Sequence, residues 1–262
     1  MEERDFLLFR LAGPMAAWGD IAVGERRGSW DIPSKSAVIG LLAAGLGLDR
    51  RDTEAHAVLD RGLGFGVRQD APGRPLRDYH TAQAPKARKN ARWGTRRDEL
   101  AADDLNTVLS DRIYRIESAA TVAVWARNAA SAPSPDTLEN AVRRPHFALY
   151  LGRKACPLSR PPRPRIVRER GLIAALDAYD GAEYEADLAL NSWRGLRPPV
   201  QPRPVWFEVA AGLEAEEAEA LERRYRRDGL MNRALWQFAD RLEGRLEWRP
   251  PIHGEIQGEV IP

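Results

Sequence analysis

Apolar and polar positions alternate between two regimes along this chain. Residues 6–11 (FLLFRL) are almost uninterruptedly apolar, the pattern of a buried strand. Residues 34–47 are apolar nearly all round, which predicts a buried helix, and Gly47 is a suitable C-terminal stop. Between them, residues 12–33 form a long loop rich in Gly and Arg and carrying Trp18 and Trp30. Loops of that length inside compact domains tend to be functional. Gly64–Asp70 and Leu76–His80 read as two strands about a turn at Gly73. Residues 120–126 (ATVAVWA) read as another strand. Ser134-Pro135-Asp136 starts a helix: Ser caps, Pro fits the first turn, and Asp complements the dipole. That helix ends near Arg143-Arg144-Pro145, and Phe147–Leu151 reads as the next strand.

With residues 82–119 set aside, the order is strand, helix, two strands, one more strand, helix, strand. This is close to the βαββαβ ferredoxin-like pattern and predicts an α+β fold. The excluded stretch is basic, polar and poorly periodic. The character changes after residue 158: Arg160–Arg168 is rich in Pro and Arg and is no regular helix, and prolines recur at 198, 199, 202 and 204. Residues 213–227 (LEAEEAEALERRYRR) place acids first and bases last, as the macrodipole favours, and predict a solvated helix.

At 262 residues the chain fits one large domain or two small ones, and 44% hydrophobic content suffices for a core. The net charge of +2 does not announce nucleic acid, but the distribution does. Lys86, Arg88, Lys89, Arg92, Arg96 and Arg97 share a window without an acid, and Arg153, Lys154, Arg160, Arg163, Arg165 and Arg168 share another. Acids collect elsewhere, as at Asp177, Asp180, Glu183, Glu185 and Asp187. Such segregation suits a polyanion-facing side, although solvated loops explain either window alone. The single Cys156 forms no internal disulfide, and Glu2, Glu3 and Arg4 precede no signal-peptide apolar region. No run approaches the roughly 20 apolar residues of a membrane helix. A soluble cytoplasmic protein is expected.

Pro33-Ser34-Lys35-Ser36 opens the helix at 34–47 with hydroxyls, a cation and free backbone N–H groups, which predicts an anion seat. Glu25-Arg26-Arg27-Gly28 lies just upstream. His56, His80, His146 and His253 show no metal-ligand spacing, so no metal or other cofactor is expected. No nucleophile elbow, HExxH pair or Walker loop is present. The one enzymatic candidate is Tyr79-His80 with Lys86, residue types able to supply a base and a cation for metal-independent RNA cleavage.

Leu11-Ala12-Gly13-Pro14-Met15, Ala17-Trp18-Gly19 and Pro33-Ser34-Lys35-Ser36 with Gly40-Leu41-Leu42 resemble the CasD subfamily of RAMP proteins, the 5′-handle-binding subunits of the type I-E CRISPR Cascade complex. The resemblance continues at Leu76-Arg77-Asp78-Tyr79-His80-Thr81, at Arg112 with Tyr114, and at Thr121-Val122-Ala123-Val124-Trp125. It extends through Leu138-Glu139-Asn140-Ala141-Val142 to Tyr150-Leu151-Gly152-Arg153-Lys154 and Cys156-Pro157-Leu158. It covers about residues 5–160 well and the rest weakly; the order and number of these short motifs make it specific.

The resemblance implies a ferredoxin-like (RRM-like) RAMP domain over 1–158 with a thumb-like hairpin at about 82–119. A C-terminal part, rich in Pro and Arg, would follow over 159–262 with a helical insertion at about 213–228. It implies a non-catalytic subunit capping the 5′ handle of the CRISPR guide RNA. The partners implied are a backbone subunit of CasC type, a large subunit of CasA type and, through the assembly, target DNA; no membrane is implied. The expected RNA-binding residues are Met15, Trp18, Arg26, Arg27, Ser34, Lys35, Ser36, His80, Arg92, Trp93, Arg96, Arg97, Arg112 and Arg153. Trp93, flanked by Arg92, Gly94, Arg96 and Arg97, is the preferred base-stacking candidate over Trp18. A related subfamily from type I-C systems processes its own guide RNA, so an endoribonuclease is the alternative, and a purely structural adaptor is a third.

Overall fold

The computed structural model describes residues 2–19, 22, 24–86, 92–127, 132–189, 201–232 and 235–250. Strand β1 (Arg4–Ala16) explains why the run at 6–11 lacks a polar face. Phe6 and Leu8 point into one apolar cluster, and Leu7, Phe9 and Leu11 into another. Successive side chains of a strand face opposite ways, so such a run needs a layer on each side of its sheet. One layer is α1 (Lys35–Leu46), α2 (Thr53–Gly62) and α4 (Pro135–Arg143), contributing Val38, Leu42, Leu59, Leu138 and Val142. The other is α5 (Leu172–Ala189), whose Leu172, Ala175, Leu176 and Tyr179 repeat at helical spacing against Phe6, Leu8 and Trp125. The helix starts are as the sequence predicts. Ser34 and Ser134 accept the N-cap hydrogen bonds of α1 and α4, and Gly47 closes α1 in the left-handed conformation.

The protein is a mixed α/β molecule dominated by one antiparallel sheet. The strand order is β6 (Arg165–Glu169), β1, β5 (Leu105–Ala126), β3 (Leu63–Ala71), β7 (Arg203–Glu208), β9 (Gln237–Trp248) and β8 (Glu222–Asn232). Phe6 stands opposite Trp125, and Gly64 stands opposite the same tryptophan from the other side. The glycine is required there, because an added Cβ would overlap the Trp125 ring. Among the described residues no helix is long and apolar enough to cross a membrane.

Four expectations are corrected. Residues 76–80 are not a core strand: they lie within β4 (Arg74–Pro85), which pairs only with the outer part of β5, from Leu105 to Ile116. The hairpin arm therefore begins at 74 rather than 82. Gly73, with φ +63°, makes the turn, where a Cβ would stand 2.5 Å from the Ile116 carbonyl oxygen. Residues 147–151 are not a strand either, apart from a single bridge between Tyr150 and Pro157. The edge position beside β1 belongs to β6, which starts one residue after Pro164, and an edge strand tolerates a flanking proline.

Nor is 213–228 a helix beyond α6 (Glu214–Ala218): β8 takes over at Glu222. There Arg226 and Asp228 are buried while Tyr225 and Arg227 are exposed, a period of two imposed by pairing with β9. Finally, β6 through β9 extend the same sheet as β1, so a boundary at 158 falls inside one hydrogen-bonded unit.

Candidate nucleic-acid interface

Strand β5 spans 22 residues. Its second half, Ala119–Ala126, lies between β1 and β3 in the core; its first half leaves the sheet paired to β4. The arm is thus a continuation of a buried strand, which gives it a firm root. Most of β4 is exposed on the arm. Position alternation puts Asp78, His80, Ser110, Arg112 and Tyr114 on one face of the arm, and Arg77, Tyr79 and Asp111 on the other.

At the root, segments far apart in sequence converge. Strand β2 (Arg26–Arg27) lies parallel to Asp111–Arg112, and the Asp111 N–H donates to the Glu25 carbonyl at 3.0 Å. The Arg153 guanidinium sits 4.6 Å from the centre of the Tyr114 ring and donates to the carbonyls of Ile113 and Arg27. Arg112 Nε donates to Ser110 Oγ at 3.0 Å. Among the described residues none of Arg26, Arg27, Arg112 and Arg153 forms an ion pair. Two nearby acids are engaged elsewhere: Asp111 with Arg77 at 3.0 Å, and Asp78 with His80 Nδ1 at 3.1 Å. Arg26, Arg27 and Arg112 are exposed and Arg153 is half-buried. Arg27, Arg112 and Arg153 lie on the Tyr114 side of the arm's root and Arg26 on the other; all four lack carboxylate partners among the described residues and can neutralise phosphates.

Gly152 fixes the Arg153 loop. With φ +83° it lies so close to the Ala17 carbonyl that any Cβ would overlap it, and Ala17 N–H donates to the Leu151 carbonyl at 3.0 Å. The motif around 150–154 therefore acts through a backbone lock that aims one arginine.

The tip of the arm carries Lys86, Arg92, Trp93, Arg96 and Arg97, all exposed, while Arg88 and Lys89 lie outside the described residues. Trp93 is 42% exposed and belongs to neither apolar cluster. Thr95 and Asp98 form a capping box that starts the short helix α3 (Arg96–Leu100), and Arg96 pairs with Glu99 at 2.5 Å.

The anion seat expected at α1 is occupied from within. Lys35 is 2% exposed. Its Nζ donates to the Asp60 carbonyl at 2.7 Å and contacts the Glu208 carboxylate at 3.0 Å. Burial pushes its ammonium below the ordinary lysine value, against the opposing pull of Glu208 and Asp60. Its backbone N–H donates to Asp228 Oδ2 at 2.8 Å, so the helix dipole already faces a carboxylate. Arg226 donates to the Ile32 and Pro33 carbonyls and straps the same turn. Ser34 is buried as the cap, with Ser36 Oγ 3.2 Å from its hydroxyl.

Trp18, expected to bind RNA, is 4% exposed in the core, and its backbone N–H donates to Ser29 Oγ. Met15 packs against the same cluster opposite Ile116.

Three of the six cations of the second basic window are paired with acids. Arg163 and Arg165 both grip the buried Glu183, at 3.0 and 2.7 Å, and Arg168 lies 3.6 Å from Glu3. Asp180 binds Arg10 and the buried Arg68. Asp180 therefore balances Arg10 and the buried Arg68, and Glu183 the partly exposed Arg163 and Arg165.

The Tyr79, His80 and Lys86 candidate is dispersed. Tyr79 and His80 are consecutive in a strand and face opposite ways, and Lys86 is six positions on, roughly 20 Å at strand rise. Among the described residues no group of His, Cys, Asp and Glu could hold a metal ion.

Sequence reading missed Arg77 and Tyr79 as an exposed cation–ring pair, 5.7 Å apart, on the far face of the arm. It also missed Glu208 and Asp228 as the partners that bury Lys35. The arm pair is legible in principle once β4 is read to its full length. Nothing local in sequence marks the two acids, which lie 173 and 193 positions from Lys35.

Residues 6–195, which contain the arm and its root, match the model of a family described as CRISPR-associated protein (Cas_Cas5). Over 166 residues the chain is 35% identical to the CRISPR system Cascade subunit CasD of Escherichia coli (strain K12), covering 60% of this chain and 69% of that one. A chain of a solved CRISPR RNA-guided surveillance complex superposes with a TM-score of 0.61 at 22% identity, over 94% of this chain and 91% of its own. A solved Cas protein superposes with a TM-score of 0.59 at 25% identity, over 93% of this chain and 95% of its own.

Proposed function

This chain belongs to the CRISPR-associated Cas5 family, and from that premise we propose that it is the CasD-type subunit of a Cascade surveillance complex. In this reading it holds the 5′ handle of the guide RNA and does not cut it. The observation that carries the reading is the meeting of the segments bearing Arg26, Arg27, Arg112 and Arg153 at the root of the arm, without ion pairs among the described residues. Three sequence-distant segments supply these cations, which suits an extended polyanion. The arm serves as the thumb, and Trp93 at its tip stacks on a splayed base. The strand order β6-β1-β5-β3, with α1 and α4 as crossovers, supports a ferredoxin-like reading of the RNA-binding core. The protein works in the cytoplasm with subunits of CasC and CasA type and meets target DNA through the assembly.

The dispersal of Tyr79, His80 and Lys86 along the arm supports binding over cleavage. Incubating the purified chain with repeat RNA tests both halves. Binding that weakens with salt, without products, is the expected result. If the four arginines each meet a phosphate, the log–log salt slope is about −2.8, from roughly −0.7 per contact on a single strand. A slope near zero would remove the RNA-binding reading, and handle-specific products would replace it with the endoribonuclease.

A further inference from the structure

The C-terminal hairpin of β8 and β9 reaches the arginines of the root through one tryptophan. Arg26 and Arg27 lie in a segment whose two ends are tied to each other. Trp30 N–H donates to the Gly19 carbonyl at 3.1 Å, and the backbone N–H of Trp18 donates to Ser29 Oγ at 3.0 Å. Ser29 Oγ donates in turn to the Trp30 carbonyl at 2.9 Å. A surface loop whose ends meet in this way takes its course from how its neck is held. Trp30 follows Arg27 by three residues, at most about 11 Å of chain. The neck also meets the second arginine-bearing loop, because Ala17 N–H donates to the Leu151 carbonyl, next to Gly152 and Arg153.

Strand β8 holds that neck. The guanidiniums of Arg224 and Arg226 lie over the Trp30 ring, 5.5 and 5.0 Å from its centre. Two positions apart on one strand, they share a face. Like charges so placed need counter-ions, and the hairpin supplies them. Glu243 lies 2.7 Å from Arg224 and 3.9 Å from Arg226, and Asp228 lies 3.6 Å from Arg226. Arg226 also donates to the carbonyls of Ile32 and Pro33, at 3.0 and 3.3 Å, so ring and backbone are gripped together. Strand β8 lies beyond residues 6–195, outside the Cas5 family match.

We propose that Arg224 and Arg226 are positioning residues for the RNA site. By clasping Trp30 they set the neck from which β2 presents Arg26 and Arg27 to phosphates, and they touch no RNA themselves. The proposal rests on the RNA-binding reading above and gives the C-terminal hairpin a part in it. Two amides of β5 allow the test. The Asp111 N–H, which donates to the Glu25 carbonyl, reports the seating of β2 without RNA. The Val124 N–H, on a residue paired with both Leu7 and Phe65, reports the fold. Amide exchange in the full chain is read by NMR, and binding of repeat RNA is titrated against salt. In Trp30→Leu, exchange at Asp111 rises at least tenfold while Val124 keeps its rate. The log–log salt slope flattens by about 1.4, the share of two phosphate contacts at roughly 0.7 each. Trp30→Phe, which keeps a ring for the arginines, restores both. Arg224→Met, which leaves Glu243 paired with Arg241, moves both in the direction of Trp30→Leu. Unchanged exchange at Asp111 in Trp30→Leu and Arg224→Met overturns the proposal. So does faster exchange at Asp111 and Val124 together in both variants, which marks a purely structural role, or faster exchange at Asp111 with an unchanged slope. A wild-type slope near zero defeats the RNA-binding reading itself. Unchanged Asp111 exchange beside a wild-type slope of about −2.8 defeats the positioning role alone.

Discussion

Lys35 illustrates how one residue changes meaning when its surroundings are known. A cation at a helix start beside two serines suggests a ligand, yet its ammonium lies among Asp60, Glu208 and backbone oxygens with almost no exposure. Arg127 also pairs with Glu208, so the carboxylate keeps a partner if the lysine is lost. Lys35→Met should still destabilise the fold by about 3–5 kcal/mol, the usual cost of removing one member of a buried pair. Urea unfolding measures this. A wild-type midpoint with weakened RNA binding would return Lys35 to the ligand site. Arg112 and Arg153 differ in the same sense. Arg112 is exposed and its side chain hydrogen-bonds only Ser110 Oγ among the described residues, whereas Arg153 stacks on Tyr114 and donates to two carbonyls. Arg112→Ala should weaken RNA binding and flatten the salt slope by roughly 0.7 with an unchanged thermal midpoint. Arg153→Ala should lower both affinity and midpoint, because it also removes a cation–ring contact typically worth about 0.5–1 kcal/mol.

At the scale of elements, the arm and the core are one strand. Because β5 runs from Leu105 to Ala126 without interruption, the tip can be removed where Pro85 stands opposite Leu105. Replacing residues 86–104 with a short Gly-Ser turn should leave the sheet folded, as circular dichroism would report. It should cost affinity for the handle, since Trp93 and the tip arginines go with it. A stacked base is worth about 1–3 kcal/mol, and a single exposed phosphate contact less. Trp93→Ala should therefore lose more affinity than Lys86→Ala. Equal losses would mean that the tip acts through charge alone.

The whole molecule depends on its C-terminal strands more than a two-part reading allows. Strand β7 covers the free edge of β3, Val205 and Phe207 complete the apolar layer under α5, and Trp248 donates to Asp177. Asp228 and Arg226 close the network over the start of α1. A chain truncated after residue 201 exposes Phe65, Trp125 and Tyr179, and it should be insoluble or molten. Recovery of a cooperatively unfolding 1–201 fragment would restore an independent N-terminal domain.

Several features were determined by the sequence itself, because local chemistry sets them. Ser34, Gly47 and Ser134 fix helix ends through single hydrogen bonds or backbone conformation, and the unbroken run at 6–11 demands a buried strand. The basic residues at 26, 27, 112 and 153 are visible as charges in sequence. Their meeting at one root is decided by the parallel pairing of β2 with β5 and by the lock at Gly152. Tertiary structure also decided which residues would not be available. Trp18 was drawn into the core, and Lys35, Arg163 and Arg165 found carboxylates from distant segments. The stretch from Glu222 reads as helix by propensity but became strand, because the ladder of hydrogen bonds with β9 outweighs intrinsic preferences of roughly a few tenths of a kcal/mol per residue. Charge in a sequence marks where an ion stands; only the fold decides whether its counter-ion comes from the same chain or from a ligand.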